Sequence, residues 1–265
     1  MRNAVVLEKV SKTFATAGRA ALESTSLAIP HGRFVTVLGS SGSGKTTLLK
    51  LINRLYEPST GRVLVNGVDV TAQPPHLLRR GIGYVIQQGG LFEHMNVERN
   101  VGTVPRILGW DKAAISARVE ELLELVGLAP REFRGRYPRQ LSGGQQQRVG
   151  LARALAARPS IVLMDEPFGA VDPLTRARLQ DEVLAIQREL GLTVVLVTHD
   201  VGEALKLGDE VIVMHDGRVQ QHSTPRRIVR EPANDFVRAF VESMWTCVDW
   251  KEDPCGATYG RILAT

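Results

Sequence analysis

Short apolar runs alternate with longer amphipathic stretches along most of the chain. Five such runs predict β-strands, at 32–39, 82–86, 161–164, 193–197 and 210–214. Apolar residues at helical spacing predict α-helices between some of these strands, at 45–55 and 174–190. Strands that alternate with helices in this way are typical of an α/β fold, with a mostly parallel sheet covered by helices.

The segment between the second and third predicted strands has a different character. It predicts three helices, at 97–108, 112–126 and 144–157, with no convincing strand between them. We interpret residues 88–157 as a helical subdomain inserted into a sheet domain that comprises 1–87 and 158–240. Residues 241–265 show no clear periodicity, and they are predicted to be a short C-terminal tail without an assigned structure or role.

The composition of the chain argues mainly against a membrane-spanning protein and a secreted protein. Aromatic residues make up 5% of the chain and hydrophobic residues 43%, so the core is expected to be aliphatic. No apolar run approaches the roughly 20 residues that span a bilayer. The N-terminus lacks the apolar region and cleavage site of a secretory signal, so we expect a cytoplasmic protein.

Charge and cysteine content exclude two further classes of site. The net charge of +5 comes from basic residues that are interleaved with acidic ones, so no nucleic-acid partner is expected. Cys247 and Cys255 have no second cysteine pair or histidine at ligand spacing. They are therefore expected to be reduced thiols and not metal ligands.

A glycine-rich segment joins the first predicted α/β strand to its helix. Residues 39–46 match the pattern G-x-x-x-x-G-K-[ST] in full, and backbone amides in such a loop converge on phosphate oxygens. Side chains at Gly42 or Gly44 would crowd the ligand, Lys45 would reach the β- and γ-phosphates, and the Thr46 hydroxyl would bind Mg²⁺. The predicted triphosphate-binding residues are Gly39, Ser40, Ser41, Gly42, Ser43, Gly44, Lys45, Thr46 and Thr47.

Two adjacent carboxylates follow the apolar strand at 161–164. Asp165 and Glu166 end this strand at the edge of the sheet where α/β proteins bind their ligands. Consecutive strand residues point to opposite sides, so the two acids can have separate tasks. We expect Asp165 to hold Mg²⁺, usually through water, and Glu166 to orient and deprotonate the attacking water.

Residues 141–148, Leu-Ser-Gly-Gly-Gln-Gln-Gln-Arg, stand at the start of a predicted helix and resemble the signature motif of ABC ATPases. The resemblance covers about residues 3–240. It implies a P-loop NTPase core with a mostly parallel sheet, an N-terminal antiparallel β-subdomain and the inserted helical subdomain. In this family two subunits pack head to tail. The resemblance therefore implies a second copy of the chain, whose Ser142, Gly143, Gly144 and Gln145 contact ATP held by the first.

Four further positions match the family singly. Phe14 resembles the aromatic residue that stacks on adenine, although an isolated phenylalanine is also compatible with a core position. Gln87 resembles the glutamine that touches Mg²⁺ or water, and the assignment could shift by one residue to its neighbour. Asp172 resembles the aspartate that bridges the dimer, and it also suits a helix N-cap before a proline. His199 resembles the histidine that senses the γ-phosphate, with a purely structural histidine as the alternative.

The resemblance also implies how such a chain works. ATP closes the dimer and pulls the helical subdomains inward, and hydrolysis by Glu166 with His199 and Gln87 reopens it. This motion drives integral-membrane permease subunits that receive the solute from a substrate-binding protein. The ATPase is then expected on the inner face of the cell membrane, attached through the permease.

Residues 53–58, 81–97 and 103–110 are similar in sequence to the ATPases of osmoprotectant importers, which take up glycine betaine, choline, carnitine or proline betaine. Gly89 and Glu93 depart from that pattern, which has an apolar residue and a proline there. Many relatives add CBS modules after the ATPase, and we expect none here because the tail is short. An importer for amino acids or another polar solute, and a regulatory ABC ATPase without transport, remain alternatives.

Overall fold

The computed structural model describes residues 2–15, 18–86, 90–169 and 171–242. These residues form two compact units. The first unit contains the described residues up to Thr71 and from Val195 onward, and the second contains those from Ala72 to Val194. The domain bounds predicted from the sequence, with a helical subdomain at 88–157, remain a prediction.

An antiparallel sheet opens the first unit. Its strands are β1 (Asn3–Thr13), β2 (Ala20–Pro30), β4 (Thr60–Val65) and β5 (Val68–Asp69), in the order β2-β1-β4-β5. Strand β1 is antiparallel to both β2 and β4. Val5, Leu7 and Val10 are buried along β1 and supply part of the core. The sheet is the antiparallel β-subdomain that the family resemblance implies.

A second sheet in the first unit positions the phosphate loop. It contains β3 (Phe34–Gly39), β9 (Glu210–His215), β10 (Arg218–Ser223) and the last four residues of β8 (Thr193–Thr198), in the order β10-β9-β3-β8. Strand β3 runs parallel to β9, from Val35 opposite Glu210 to Gly39 opposite Met214. All six residues of β3 are buried, as in a strand covered on both faces.

Four helices accompany the sheets of the first unit. They are α1 (Lys45–Ile52), α9 (Val201–Leu207), α10 (Pro225–Arg230) and α11 (Asp235–Glu242). Ala204 and Leu205 of α9, Ile228 of α10 and Val237 of α11 pack in one buried cluster with Val211. Cys247 and Cys255, the two cysteines of the predicted tail, lie outside the described residues.

The second unit contains one parallel strand pair and most of the helices. Strand β6 (Ile82–Val85) pairs with β7 (Ile161–Asp165) from Ile82 opposite Ile161 to Val85 opposite Met164. The helices are α2 (Pro75–Arg80), α3 (Val97–Val101), α4 (Thr103–Ile107), α5 (Lys112–Leu125), α6 (Pro130–Phe133), α7 (Gly143–Leu155) and α8 (Pro173–Leu190). The regular elements described between 90 and 157 are all helical, as the sequence pattern predicts.

One predicted helix is wrong, because the structure divides it into two. The apolar pattern at 97–108 predicts a single helix, whereas the structure has two short ones, α3 and α4, joined at Gly102. Pro105 has no N–H to donate to the carbonyl of Val101, so the hydrogen-bond ladder cannot pass through this point. Other predicted bounds differ from the observed ones by a few residues at most. No helix among the described residues has the length and hydropathy required to cross a membrane.

Candidate functional site

The phosphate loop lies between β3 and α1 in the first unit. Its backbone closes a turn in which Ser43 N donates to Ser40 O at 3.2 Å. Lys45 is only 5% exposed, and its Nζ donates to the carbonyl oxygens of Gly39 and Ser40, at 2.8 Å each. The ammonium therefore lies within the curve of the loop, beside the first amides of α1, where the positive end of the helix dipole also acts.

Two glycines of this loop are required for different reasons. Gly44, the N-cap of α1, has φ of 100°, and a Cβ placed on it would lie 2.5 Å from the carbonyl oxygen of Ala21. Gly42 has φ of 78°, but a Cβ there would meet no atom of the described residues within 4 Å. The backbone of β2 thus excludes a side chain at Gly44 whether or not a ligand is present. The explanation that both glycines make room for a ligand remains a prediction.

A buried hydroxyl in the same loop fits an anion. Ser43 is 1% exposed, and its Oγ has no hydrogen-bond partner among the described residues. Buried hydroxyls are normally hydrogen-bonded, so this atom is available to a ligand that approaches the loop. An available hydroxyl, a buried ammonium and a helix N-terminus together suit the oxygen atoms of a phosphate.

Phe14 follows β1 in the first unit, and its side chain is half-buried. Its ring lies edge-on to that of Tyr56, with centroids 5.1 Å apart and an interplanar angle of 78°. Phe14 is thus part of a small aromatic pair and not of the fully buried core. Its stacking on adenine remains a prediction.

His199 lies at the carboxyl end of β8, also in the first unit. Its side chain is exposed, and it directly precedes Asp200, which caps α9 by accepting a hydrogen bond from Glu203 N at 2.9 Å. Strand β8 is next to β3 in the sheet. The role of His199 in sensing a γ-phosphate remains a prediction.

The two adjacent acids lie in the second unit. Asp165 is the last residue of β7 and is buried, with 9% of its surface exposed. Glu166 follows with φ of 45°, a left-handed conformation that costs a residue with a side chain on the order of 1–2 kcal/mol. Gly169 N then donates to Glu166 O at 3.3 Å, so the chain turns at the end of the strand. Strain of this kind often occurs at functional sites.

The signature segment forms the N-terminus of α7. Ser142 is the N-cap, and its Oγ accepts a hydrogen bond from Gln145 N at 3.3 Å. The Gln145 side chain in turn accepts a bond from Ser142 N at 2.9 Å, which completes a capping box. Ser142 and Gly143 are exposed. Because a hydroxyl that accepts one bond can still donate its own proton, Ser142 retains a donor for an anion.

Asp172 caps the longest helix of the second unit. Its Oδ1 accepts a hydrogen bond from Thr175 N at 3.0 Å, and Pro173 occupies the first helical position of α8. The bond from the Thr175 amide favours the charged carboxylate and lowers the pKa of Asp172 below its usual value. The N-cap interpretation is therefore confirmed by the geometry, whereas the bridging role between two copies remains a prediction.

Some of the remaining predicted positions lie outside the described residues. Gln87, with its alternative Gln88, lies outside the described residues, as does Gly89. Glu93 is exposed in the loop before α3. Within each unit the structure assembles part of the predicted set: the phosphate loop, Phe14 and His199 in the first, and the acid pair, the signature and Asp172 in the second.

Sequence reasoning missed two side chains that contact these segments. Tyr56 contacts Phe14, as described above. Arg148, at the end of the signature segment, bonds the carbonyl of Val126 and forms an ion pair with Glu182 of α8, at 2.6 Å each. An aromatic residue in the loop after α1 was the only local signal for Tyr56, and it has no distinctive spacing.

The chain is similar in sequence to a known protein family and to several named proteins. A family model described as ABC transporter matches residues 22–169. The glycine betaine/carnitine/choline transport ATP-binding protein OpuCA of Bacillus subtilis is 51% identical over 235 residues, which are 89% of this chain and 61% of OpuCA. The glycine betaine uptake system ATP-binding protein YehX of Escherichia coli is 50% identical over 231 residues, 87% of this chain and 74% of YehX.

A solved structure shows the same architecture. The ATP-binding cassette MJ0796, in a dimeric post-hydrolysis state with ADP and Pi, is 35% identical, with a TM-score of 0.74 over 83% of this chain and 98% of the cassette. The predicted fold class, an α/β P-loop NTPase with an antiparallel β-subdomain and helical additions, is thereby confirmed. The chain spans about three fifths of the length of OpuCA. On its family match and its relatives together, this chain belongs to the ABC transporter family.

Proposed function

We propose that this chain is the ATP-binding and ATP-hydrolysing subunit of an importer for quaternary-amine osmoprotectants such as glycine betaine, choline or carnitine. The observation that carries the proposal is the phosphate loop, where a buried ammonium, an available buried hydroxyl and a helix N-terminus lie together. Membership of the ABC transporter family supports the coupling to transport. The printed names of OpuCA and YehX support the class of solute.

In this proposal the first unit binds the nucleotide. The loop residues 39–47 hold the triphosphate, with the Lys45 ammonium on the β- and γ-phosphates, and Phe14 stacks on the adenine. Oxygen ligands suit Mg²⁺, and Thr46, Gln87 and Asp165 are the residues that would hold it, Asp165 through water. When bound, Mg²⁺ offsets the negative charge of the phosphates.

Glu166 then acts as the base in hydrolysis. It accepts a proton from a water molecule that Gln87 and His199 orient toward the γ-phosphate. The water oxygen bonds to the γ-phosphorus while the bond to the bridging oxygen breaks, which releases ADP and phosphate. The signature residues Ser142 to Gln145 of a second copy bind the γ-phosphate from the opposite side, with the N-terminus of α7 directed at it.

The same proposal assigns the partners. Two copies close head to tail on ATP, with Asp172 at their interface, and reopen after hydrolysis. They are attached to the inner face of the membrane through permease subunits, which receive the solute from a substrate-binding protein. Closure and reopening of the copies drive alternating access in the permease.

Reconstituted uptake tests this function. The chain is assembled in vesicles with its permease and binding protein, with ATP on the side of this subunit, and uptake of labelled glycine betaine, choline and carnitine is measured beside an amino acid. We expect ATP-dependent uptake of a quaternary amine. Replacing Glu166→Gln removes the base but leaves the phosphate loop, so turnover and uptake should fall about 10²- to 10⁴-fold while ATP affinity is retained.

Three results would contradict parts of the proposal. Undiminished turnover in Glu166→Gln would remove Glu166 as the base. Uptake of the amino acid alone would assign the importer to that solute. ATP hydrolysis without uptake of any solute in the complete complex would favour a regulatory ATPase.

A further inference from the structure

An aromatic pair at the C-terminal end of α1 joins two distant segments of the first unit. Phe14 comes directly after β1, and Tyr56 lies in the loop between α1 and β4. The two rings meet edge to face, with centroids 5.1 Å apart and an interplanar angle of 78°. This arrangement is one that aromatic pairs prefer, because the positive edge of one ring contacts the negative face of the other.

Two lysines surround the same pair. Lys12 Nζ lies 5.1 Å from the ring centroid of Phe14 and 5.9 Å from that of Tyr56, while it donates to Glu57 O at 2.8 Å. Lys50 Nζ lies 5.2 Å from the centroid of Tyr56. Each ammonium is attracted to the electron-rich ring faces, so the pair is held by electrostatic contacts as well as by its own packing.

The backbone holds the two segments in register around the rings. Thr13 N donates to Ser59 Oγ at 3.1 Å, and Ser59 N donates to Ser11 O at 2.8 Å. Tyr56 N donates to Lys50 O at 2.9 Å, which ties the tyrosine to the end of α1. Tyr56 is therefore anchored to the helix that begins at the phosphate loop.

Phe14 lies just beyond the end of strand β1 and is not part of the sheet. Strand β1 ends at Thr13, so the ladder of the antiparallel sheet does not include Phe14. Both rings are only half-buried, so core packing does not determine the orientation of either one. Among the described residues, the aromatic ring that contacts Phe14 is that of Tyr56.

We propose that Tyr56 is a positioning residue for recognition of the nucleotide base: its ring holds Phe14 in the orientation in which Phe14 stacks on adenine. This inference rests on the proposed function, in which Phe14 contacts the base. Tyr56 acts through Phe14, and it contributes the ring and not the hydroxyl. Its effect should therefore be confined to ligands that carry a base.

Two probes separate the base from the phosphates. MgATP contacts both Phe14 and the phosphate loop, whereas magnesium tripolyphosphate contacts the loop alone. Replacing Tyr56→Ala should weaken ATP binding about 2- to 12-fold, the effect of one aromatic pair, and leave tripolyphosphate binding unchanged. Tyr56→Phe should bind both as the unchanged chain does. Leu55→Ala, at an exposed neighbouring position, is the matched control and should change neither affinity.

Calorimetric titration of these variants, with the thermal midpoint of each, gives the test. A parallel loss of affinity for both probes in Tyr56→Ala would show damage to the loop and overturn the inference. If Tyr56→Ala does not fold, Tyr56→Leu keeps the apolar bulk without an aromatic face and should show the same selective loss. Unchanged ATP affinity in the folded variant would also overturn the inference.

Phe14→Ala distinguishes this inference from the proposed function. If Phe14→Ala weakens ATP binding and Tyr56→Ala does not, only the inference fails. If Phe14→Ala has no effect, the stacking role assigned to Phe14 in the proposed function fails as well. The double variant should bind ATP no worse than Phe14→Ala alone, because both changes remove the same interaction, the stacking of Phe14 on adenine. Additive losses would mean that Tyr56 acts independently of Phe14.

Discussion

Two neighbouring glycines of the phosphate loop, Gly42 and Gly44, are required for different reasons. Gly44 must adopt a positive φ and also pass close to the carbonyl of Ala21, so both its conformation and its contacts require glycine. Gly42 needs the positive φ, but in the part of the chain that the structure describes no atom lies within 4 Å of a Cβ placed on it. One glycine is therefore required by the fold, and the space beside the other is open to a ligand.

Alanine should destabilise the protein at both positions, but by different amounts. Gly42→Ala should lower the free energy of unfolding by only about 1–2 kcal/mol, the cost of a left-handed alanine, while its methyl group obstructs the triphosphate and weakens ATP binding. Gly44→Ala should lower the stability by more, because overlap with the Ala21 carbonyl adds to the strain. Urea unfolding and ATP titration of both variants check this, and the reverse order of stabilities would contradict it.

At the scale of secondary-structure elements, one buried side-chain amide joins α3 to the loop before it. Asn100 is 0% exposed, and its Oδ1 accepts a hydrogen bond from Phe92 N at 2.8 Å. Its Nδ2 lies 2.9–3.1 Å from the carbonyl oxygens of Phe92, Met95 and Asn96. One side chain thus contacts four backbone groups of a loop without regular structure, beside the loop's own backbone hydrogen bonds.

Removal of this amide should be costly. Asn100→Ala removes the amide that bonds Phe92 N and Met95 O, whereas Phe92 O and Asn96 O keep their backbone donors, Met95 N and Asn100 N. We expect a loss of about 1–3 kcal/mol in the free energy of unfolding, because part-buried polar groups lose a partner. Thr103→Ala, which removes a hydroxyl bonded to Arg99 O near the surface, is the control and should change stability by about 0.5 kcal/mol or less. Equal urea midpoints for the two variants would rule out the central role of Asn100.

At the scale of the whole molecule, the proposed function divides each ATP site between two copies. The phosphate loop of one copy and the signature helix of the other would hold the same triphosphate, each through a helix N-terminus. The exposed Ser142 and Gly143 agree with a surface that meets a second chain. A dimer of this kind has two sites, and damage to one motif can be separated from damage to the other.

Mixing two inactive variants should restore activity. Lys45→Ala damages the phosphate loop, and Ser142→Arg places a bulky side chain at the signature helix, so each variant alone should hydrolyse little ATP. In a mixed dimer, the loop of the Ser142→Arg chain meets the intact signature of the Lys45→Ala chain, and one site is complete. ATPase assays across mixing ratios should show activity highest near equal amounts. Activity that never exceeds the sum of the separate variants would argue against sites shared between copies.

Local pattern was sufficient for much of the fold and for the main chemical groups. Strand β3, the loop and helix α1 were predicted together, because the apolar run, the glycine spacing and the helical periodicity lie next to each other in the chain. The cap at Asp172 was also predicted, since an N-cap depends on residues three positions apart. The break between α3 and α4 was missed because apolar periodicity continues across Pro105.

Residues close together in the chain were sufficient to predict five of the strands, the helices between them, the phosphate loop, the acid pair and the signature, because each depends on neighbours within a few positions. Packing between distant segments brings Tyr56 to Phe14 and the Ala21 carbonyl to Gly44. Packing also buries Ser43 Oγ without a hydrogen-bond partner in the part of the chain that the structure describes. Those contacts join segments far apart in the chain or depend on what surrounds them. Their geometry is set by how sheets and helices pack, which local periodicity does not encode.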